Sequence, residues 1–316
     1  MSARRKLFCG FVFVEKTFAR DLRTARSGRA RKRQFTQIRK ALCIPYTYLK
    51  MCGFSLRTLF PRRIMSRNRA AAPPTGGITM LDIQHLTKTY GEKKAVDDLS
   101  LRIAPGEIYG FIGHNGAGKT TTLKAAVGIL QFDAGDIFIG GKSIRTDPLG
   151  CKRQLAYIPD NPDLYDFMSG IQYLNFIADI FGIPAAERWA RIEPLADAFE
   201  LTGDLGQPVS AYSHGMKQKL AIIAAWIHDP KLILMDEPFV GLDPKAAHLL
   251  KGMMRAVCDG GGAIFFSTHV LEVAEKLCDK VAIIRSGRLI RSGTMEEVKG
   301  DDSLEDVFLE LEDASC

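Results

Sequence analysis

The string Gly113-His114-Asn115-Gly116-Ala117-Gly118-Lys119-Thr120 sets glycines, a lysine and a hydroxyl at a spacing suited to gripping a polyphosphate. Its glycines let successive backbone N–H groups turn inward around phosphate oxygens, and a helix starting just beyond adds positive potential. Lys119 would reach the β- and γ-phosphates, Thr120 would hold Mg²⁺, and Thr121 completes the cofactor-binding run. About a hundred residues later the chain reads Leu-Ile-Leu-Met-Asp236-Glu237, an apolar run that ends in two carboxylates. Asp236 would orient Mg²⁺, directly or through water, and Glu237 would act as general base on an attacking water. A glycine-rich turn with a surface lysine is the plain alternative for the loop, but it leaves the acidic pair unexplained.

Four more groups accompany this pair. Tyr90, in TKTYGEKKAVDDLSL upstream of the loop, offers a ring on which adenine could stack for ~1–3 kcal/mol, by analogy with bases stacked on aromatic side chains. Gly241-Leu242-Asp243 lies just beyond Glu237, and Ser267-Thr268-His269 ends the apolar run from Ala263 to Phe266. Finally, Tyr212-Ser213-His214-Gly215-Met216 leads directly into an apolar-periodic stretch, so Ser213 and Gly215 make a second anion-binding helix end. One chain needs only one phosphate cradle, so a second suggests a site shared between two chains.

The elements that must position these groups are legible in outline. Residues 107–112 (EIYGFI) read as a short buried strand and 121–130 as a helix, which places the glycine loop between them. Residues 232–235 read as another buried strand that delivers its carboxylates at its C-terminal end, where open α/β sheets bind ligands. Residues 217–227 read as a helix.

With 316 residues, 46% hydrophobic and 25% charged, the chain can bury one large α/β domain or two small ones. Its net charge of +7 is unevenly spread. The first 79 residues carry 19 Lys and Arg against 2 Asp and Glu, which leaves 24 against 34 in the remainder. The seven cysteines, Cys9, Cys43, Cys52, Cys151, Cys258, Cys278 and Cys316, show no C-x-x-C pair, as expected of reduced thiols in a cytosolic compartment. No run approaches the ~20 apolar residues that cross a bilayer, so any membrane span must come from another chain.

Residues 1–79 are Arg-rich, acid-poor and without sustained periodicity. They read as a basic extension, disordered or upstream of a later translation start at Met65 or Met80, with Ala70 to Gly77 as a linker. A transit peptide or a basic arm for nucleic acid or anionic lipid are the functional alternatives.

Taken together in this order, the motifs resemble those of the ATP-binding domain of ABC transporters, over about residues 80–300. The resemblance implies a P-loop NTPase of the ABC type: an α/β fold with a mixed sheet core, an antiparallel β part and a helical subdomain at about 158–225. Residues 301–316 would form a C-terminal helix or tail. It implies a Walker A motif at Gly113–Thr120, a signature motif at Ser213–Met216, Walker B at Leu232–Asp236 and a catalytic Glu237. A D-loop at Gly241–Asp243, a switch histidine at His269 and an adenine-stacking Tyr90 also follow. The implied cofactors are ATP and Mg²⁺. The implied partners are a second ATPase subunit, identical or related, and a multispanning permease on a separate chain, which would hold the protein at the inner face of the cell membrane.

Where the family has a Q-loop glutamine, this chain has Asp160, a carboxylate able to approach Mg²⁺ and to act in catalysis. The usual Leu-Ser-Gly-Gly-Gln signature reads Tyr-Ser-His-Gly-Met, and its Ser-x-Gly-Met-Lys-Gln form is similar to that of bacterial exporter ATPases. The C-terminal Ser303-Leu304-Glu305-Asp306-Val307-Phe308 resembles the same group. The competing expectations are a soluble ATPase of this type acting on nucleic acid or ribosomes, which the single ATPase domain disfavours, and a regulatory ATPase that moves no substrate.

Overall fold

Two sheets organise the chain, in a computed structural model that describes residues 79–313. The expected basic extension lies outside the described residues, apart from Thr79. In chain order, β1 (Leu81–Tyr90) and β2 (Lys93–Ile103) form a hairpin, and β3 (Ile108–Ile112) leads through the glycine loop into α1 (Lys119–Ala126). There follow β4 (Ala134–Ile139), β5 (Lys142–Ser143), α2 (Pro148–Lys152) and β6 (Leu155–Ile158). Three helices come next, α3 (Gly170–Ile180), α4 (Ala185–Ala198) and α5 (His214–Trp226). The chain then alternates through β7 (Leu232–Asp236), α6 (Pro244–Asp259), β8 (Ala263–Thr268), α7 (Leu271–Leu277) and β9 (Lys280–Arg285). It closes with β10 (Arg288–Thr294), α8 (Met295–Lys299) and α9 (Leu304–Asp313).

The smaller sheet is antiparallel, in the order β2-β1-β4-β5. The larger one runs β10-β9-β3-β8-β7-β6, with every neighbour from β9 to β6 parallel and only β10 antiparallel. Strands β3, β6, β7 and β8 are buried at every residue, as continuous apolar runs must be when both faces of a parallel sheet are covered. Helix α1 contacts β7, while α6 contacts β3 and β8. Register sets the site: Ile112 pairs with Thr268 and Asp236 with Ser267, so β3, β8 and β7 end side by side.

Local sequence explains the helix starts. Ser169 and Gln172 form a capping box at α3, Thr294 and Glu297 form another at α8, and Asp243 caps α6 just before Pro244, the residue best tolerated at a first helical position. Two boundaries differ from the sequence expectation. The helix after the glycine loop starts at Lys119 and ends at Ala126 instead of spanning 121–130, because Gly128 takes a φ of +69° and turns the chain out. Strand β8 runs on to Thr268, two residues past the apolar run, as its Ser267 bonds to β7. Among the described residues no helix is long and apolar enough to cross a membrane.

Candidate nucleotide site

The glycine loop leaves β3 at Gly113 and closes at Gly118, the residue before α1. Backbone crowding dictates both glycines. A Cβ on Gly113 would lie 2.4 Å from the Ile284 carbonyl oxygen, and one on Gly118, whose φ is +113°, would lie 2.5 Å from the Ala95 carbonyl oxygen. The loop is also pinned from outside. Ser286 and Gly287, both at positive φ, turn β9 into β10; the Gly287 N–H donates to the Ala117 carbonyl at 2.8 Å, and its own carbonyl accepts from the Asp97 N–H at 2.8 Å. His114, Asn115 and Gly116 are exposed along the loop's open side, as is Thr120; Thr121 is half-buried.

Lys119 is buried, and its ammonium donates to the carbonyls of Gly113 at 2.5 Å and His114 at 3.3 Å. Burial pulls its pKa below the ordinary lysine value, while the carboxylates of Glu237 and Asp236 oppose that shift. The ammonium stands 3.7 Å from Glu237 Oε1. Glu237 itself takes a left-handed φ of +47°, strained for a side chain of its type, directly after β7. His269 Nδ1 lies 3.0 Å from the same Oε1, and the His269 N–H donates to Oε2 at 3.4 Å. The carboxylate at the end of β7 thus faces His269 at the end of β8 and the loop lysine.

Asp236 is buried at the end of β7, and the Ser267 hydroxyl donates to its Oδ1 at 2.5 Å. That hydroxyl also accepts from the Glu237 N–H at 3.2 Å, so one serine touches both acidic residues. In the sequence Ser267 is only one member of the Ser267-Thr268-His269 tripeptide. Its signal was a small hydroxyl at the end of an otherwise apolar strand.

A second cluster forms elsewhere. Ser213 caps α5, accepting from the Met216 N–H at 3.2 Å. The His214 ring lies over Gly241, and a Cβ on Gly215 would be 2.8 Å from the Gly241 carbonyl oxygen. Lys219 Nζ pairs with Asp243 Oδ2 at 2.6 Å, and with the Ala246 N–H it holds that carboxyl below the usual carboxylate range. The two motifs therefore lock to each other in the same chain. Among the described residues no hydrogen bond or ion pair joins Ser213 or Gly215 to the glycine loop.

Two expected residues stand apart. Tyr90 ends β1 half-exposed, with the Lys88 ammonium 5.3 Å from its ring centroid. Asp160 lies exposed, two residues beyond β6, with no hydrogen bond or ion pair to Lys119, Asp236 or Glu237 among the described residues.

The residues present suit a magnesium nucleotide. Gly113 and Gly118 let the loop lie close against the Ile284 and Ala95 carbonyls, a buried ammonium follows at Lys119, and a hydroxyl and a buried carboxylate stand on adjacent elements. Mg²⁺ takes hard oxygen donors and usually needs only one or two from protein when phosphates supply the rest.

Comparison with known proteins agrees with this chemistry. The ABC transporter family model matches residues 96–240. The ABC-type transporter ATP-binding protein EcsA of Bacillus subtilis (strain 168) is 35% identical over 239 residues, covering 74% of this chain and 97% of its own. The Nod factor export ATP-binding protein I of Ralstonia nicotianae is 34% identical over 234 residues, covering 74% and 73%. Among solved structures, an ATP-binding subunit of an ABC transporter superposes with a TM-score of 0.71 at 35% identity, covering 74% of this chain and all of its own. CbiO1 of Clostridium perfringens, part of the transporter complex cbiONQ, gives 0.61 at 25% identity, covering 75% and 97%. A glycine cradle around a buried lysine, an acidic pair at a strand end and these similarities lead to one assignment: the chain belongs to the ABC transporter family, as one of its ATP-binding, ATP-hydrolysing subunits.

Proposed function

We propose that two such subunits hydrolyse MgATP at shared sites while docked on a multispanning permease carried by a separate chain, and that the assembly exports its cargo. The observation that carries this reading is the division of the site. Lys119, Asp236, Glu237 and His269 assemble within one chain, whereas Ser213 and Gly215 stand at a second helix start, tied to the Gly241–Asp243 turn. A second copy, or a close relative, would bring its Ser213 and Gly215 to the γ-phosphate held by this chain's Lys119.

In that arrangement Tyr90 stacks on adenine, and the loop from Gly113 to Thr121 wraps the phosphates. Lys119 leaves the Gly113 and His114 carbonyls for the β- and γ-phosphate oxygens, which frees Glu237 to take a proton from the attacking water as its oxygen bonds to the γ-phosphorus and ADP leaves. His269 holds the Glu237 carboxylate on line and faces the departing phosphate. Thr120 and Asp236 would hold Mg²⁺, which would neutralise phosphate charge, and Asp160 would join them only if the loop after β6 moves toward the ion.

The segment at about 158–225, which contains α3, α4 and α5, is the proposed permease-docking part. Phe167, 78% exposed, stands there against Tyr165, within an aromatic group that includes Tyr173 and Phe176. Export is supported by the naming of the Nod factor relative, and the separate permease by that of the cbiONQ complex. The protein would then sit at the cytoplasmic face of the cell membrane. The test is affinity purification of tagged protein from detergent-solubilised membranes. A multispanning polypeptide recovered in stoichiometric amount is expected; recovery of soluble protein alone, or of protein with RNA, overturns the reading.

A further inference from the structure

Helix α9 reaches the glycine loop with one ring. The Phe308 side chain packs against the imidazole of His114, with ring centroids 5.0 Å apart and planes tilted by 60°. Resting on the reading of residues 113–121 as the phosphate loop, we propose that Phe308 is a positioning residue of the nucleotide site and that α9 is the brace that holds the loop in its binding shape.

The helix is built to hold its place. Leu304, Val307, Phe308 and Leu311 recur at the spacing of one helical face; the first three are buried, and Glu305, Asp306 and Glu310 occupy the exposed side. Ser303 secures the start, accepting from the Asp306 N–H at 3.1 Å. Near the other end the Arg285 guanidinium donates to the Leu311 carbonyl. Contacts with α7 and α8 complete the seat.

Phe308 packs over β9, where it lines a small cavity with Ile283, Ile284 and Leu311, and its ring continues from there onto the loop. Its partner His114 is exposed, on the open side of a loop that the buried face of α9 has no need to touch. The His114 carbonyl is the loop's internal acceptor, taking the Ala117 N–H at 3.1 Å and the Lys119 ammonium at 3.3 Å. Behind the same loop, the Ile284 carbonyl oxygen crowds Gly113, and the next residue, Arg285, is the one that grips Leu311. Helix α9 thus bears on the loop directly through His114 and indirectly through β9. Fixing the His114 side chain fixes the peptide on which Lys119 rests before it turns to phosphate. Loss of that contact therefore loosens the free site and weakens binding, with little effect on a chemical step run by Glu237.

The test is a double-substitution cycle with His114→Ala, Phe308→Leu and the pair, reading the equilibrium Kd for MgATP together with kcat. Leucine keeps an apolar side chain in the helix face and removes only the ring, so the fold is retained. Each single change is expected to raise Kd about 2- to 10-fold, the range of one aromatic edge contact, with Phe308→Tyr restoring wild-type affinity. The double variant is expected to be no weaker than the weaker single, and kcat of Phe308→Leu to stay within about two-fold of wild type. Additive losses, unchanged Kd in Phe308→Leu, or a fall in kcat alone overturns the proposal. Lys119→Ala serves as the reference: if it binds MgATP like wild type, the loop reading itself fails, whatever Phe308 does.

Discussion

Nδ1 of His269 stands 3.0 Å from Oε1 of Glu237, across a strand boundary and on a carboxylate whose backbone is held at a φ of +47°. The two residues are 32 positions apart and meet because β7 and β8 end level, with Asp236 opposite Ser267. Strain at Glu237 and its grip by His269 are two sides of one arrangement. The left-handed turn aims the carboxylate back toward the loop, where Lys119 and His269 hold it.

Removing the charge while keeping the shape separates binding from chemistry. Glu237→Gln is expected to lower ATP turnover by ~10²–10⁴ with MgATP binding retained, as loss of a general base does. Steady-state hydrolysis and an equilibrium binding isotherm on the same preparation check it. Near-normal turnover would remove Glu237 from the mechanism.

The strain has a consequence for stability. At an ordinary helical or strand position Ala is the more stable choice over Gly, but at positive φ the order reverses by roughly 1 kcal/mol. Glu237→Gly is therefore expected to be more stable to urea than Glu237→Ala, with both inactive. Equal or inverted stabilities would mean that the left-handed backbone at 237 is not kept in solution.

Gly113 has no space for a methyl group, since its Cβ would fall 2.4 Å from the Ile284 carbonyl oxygen and 2.9 Å from Ile284 Cγ2. Gly113→Ala must push β9 or the loop aside, which costs roughly 1–3 kcal/mol of stability. Because Lys119 rests on the Gly113 carbonyl, MgATP affinity is expected to fall as well. Thermal unfolding and nucleotide titration read the two effects separately.

His228 lies away from the site, between the end of α3 and the start of β6. Its ring stacks on Phe181 at 3.6 Å and lies 3.3 Å from the Leu155 carbonyl oxygen, and burial pushes its pKa down from 6.5 to about 4. The folded protein binds fewer protons here than the unfolded chain does. Its contribution is complete above about pH 6.5 and is lost as pH falls toward about 4. Between pH 7 and pH 5 wild type is expected to lose about 2 kcal/mol more than His228→Gln, given 1.36 kcal/mol per pKa unit. Urea midpoints of both proteins at the two pH values decide it, and identical pH dependence would contradict a buried neutral imidazole.

Much of the site was legible because it lies in contiguous strings. The glycine loop with Lys119, the Asp236–Glu237 pair and the His269 tripeptide each announce their chemistry in a few residues, and apolar runs such as Leu232–Met235 mark the strands that carry them. The end of α1 is not legible in the sequence because Gly128 acts through its dihedral angle, and glycine alone does not say which φ it will take.

By itself the sequence determined the chemical kinds: a glycine loop and lysine suited to phosphate, carboxylates suited to an attacking water, and an order of motifs that resembles one ATPase family. Local strings suffice for that, since turns, caps and buried strands depend on near neighbours. Only the tertiary structure decided who meets whom. Strand order and register set His269 on Glu237, gave Ser267 to Asp236, tied Lys219 to Asp243, and brought Phe308 from the C-terminal helix onto His114. Contacts across 24 to 194 positions follow from how parallel strands line up and how helices pack on them, which no short window of sequence contains.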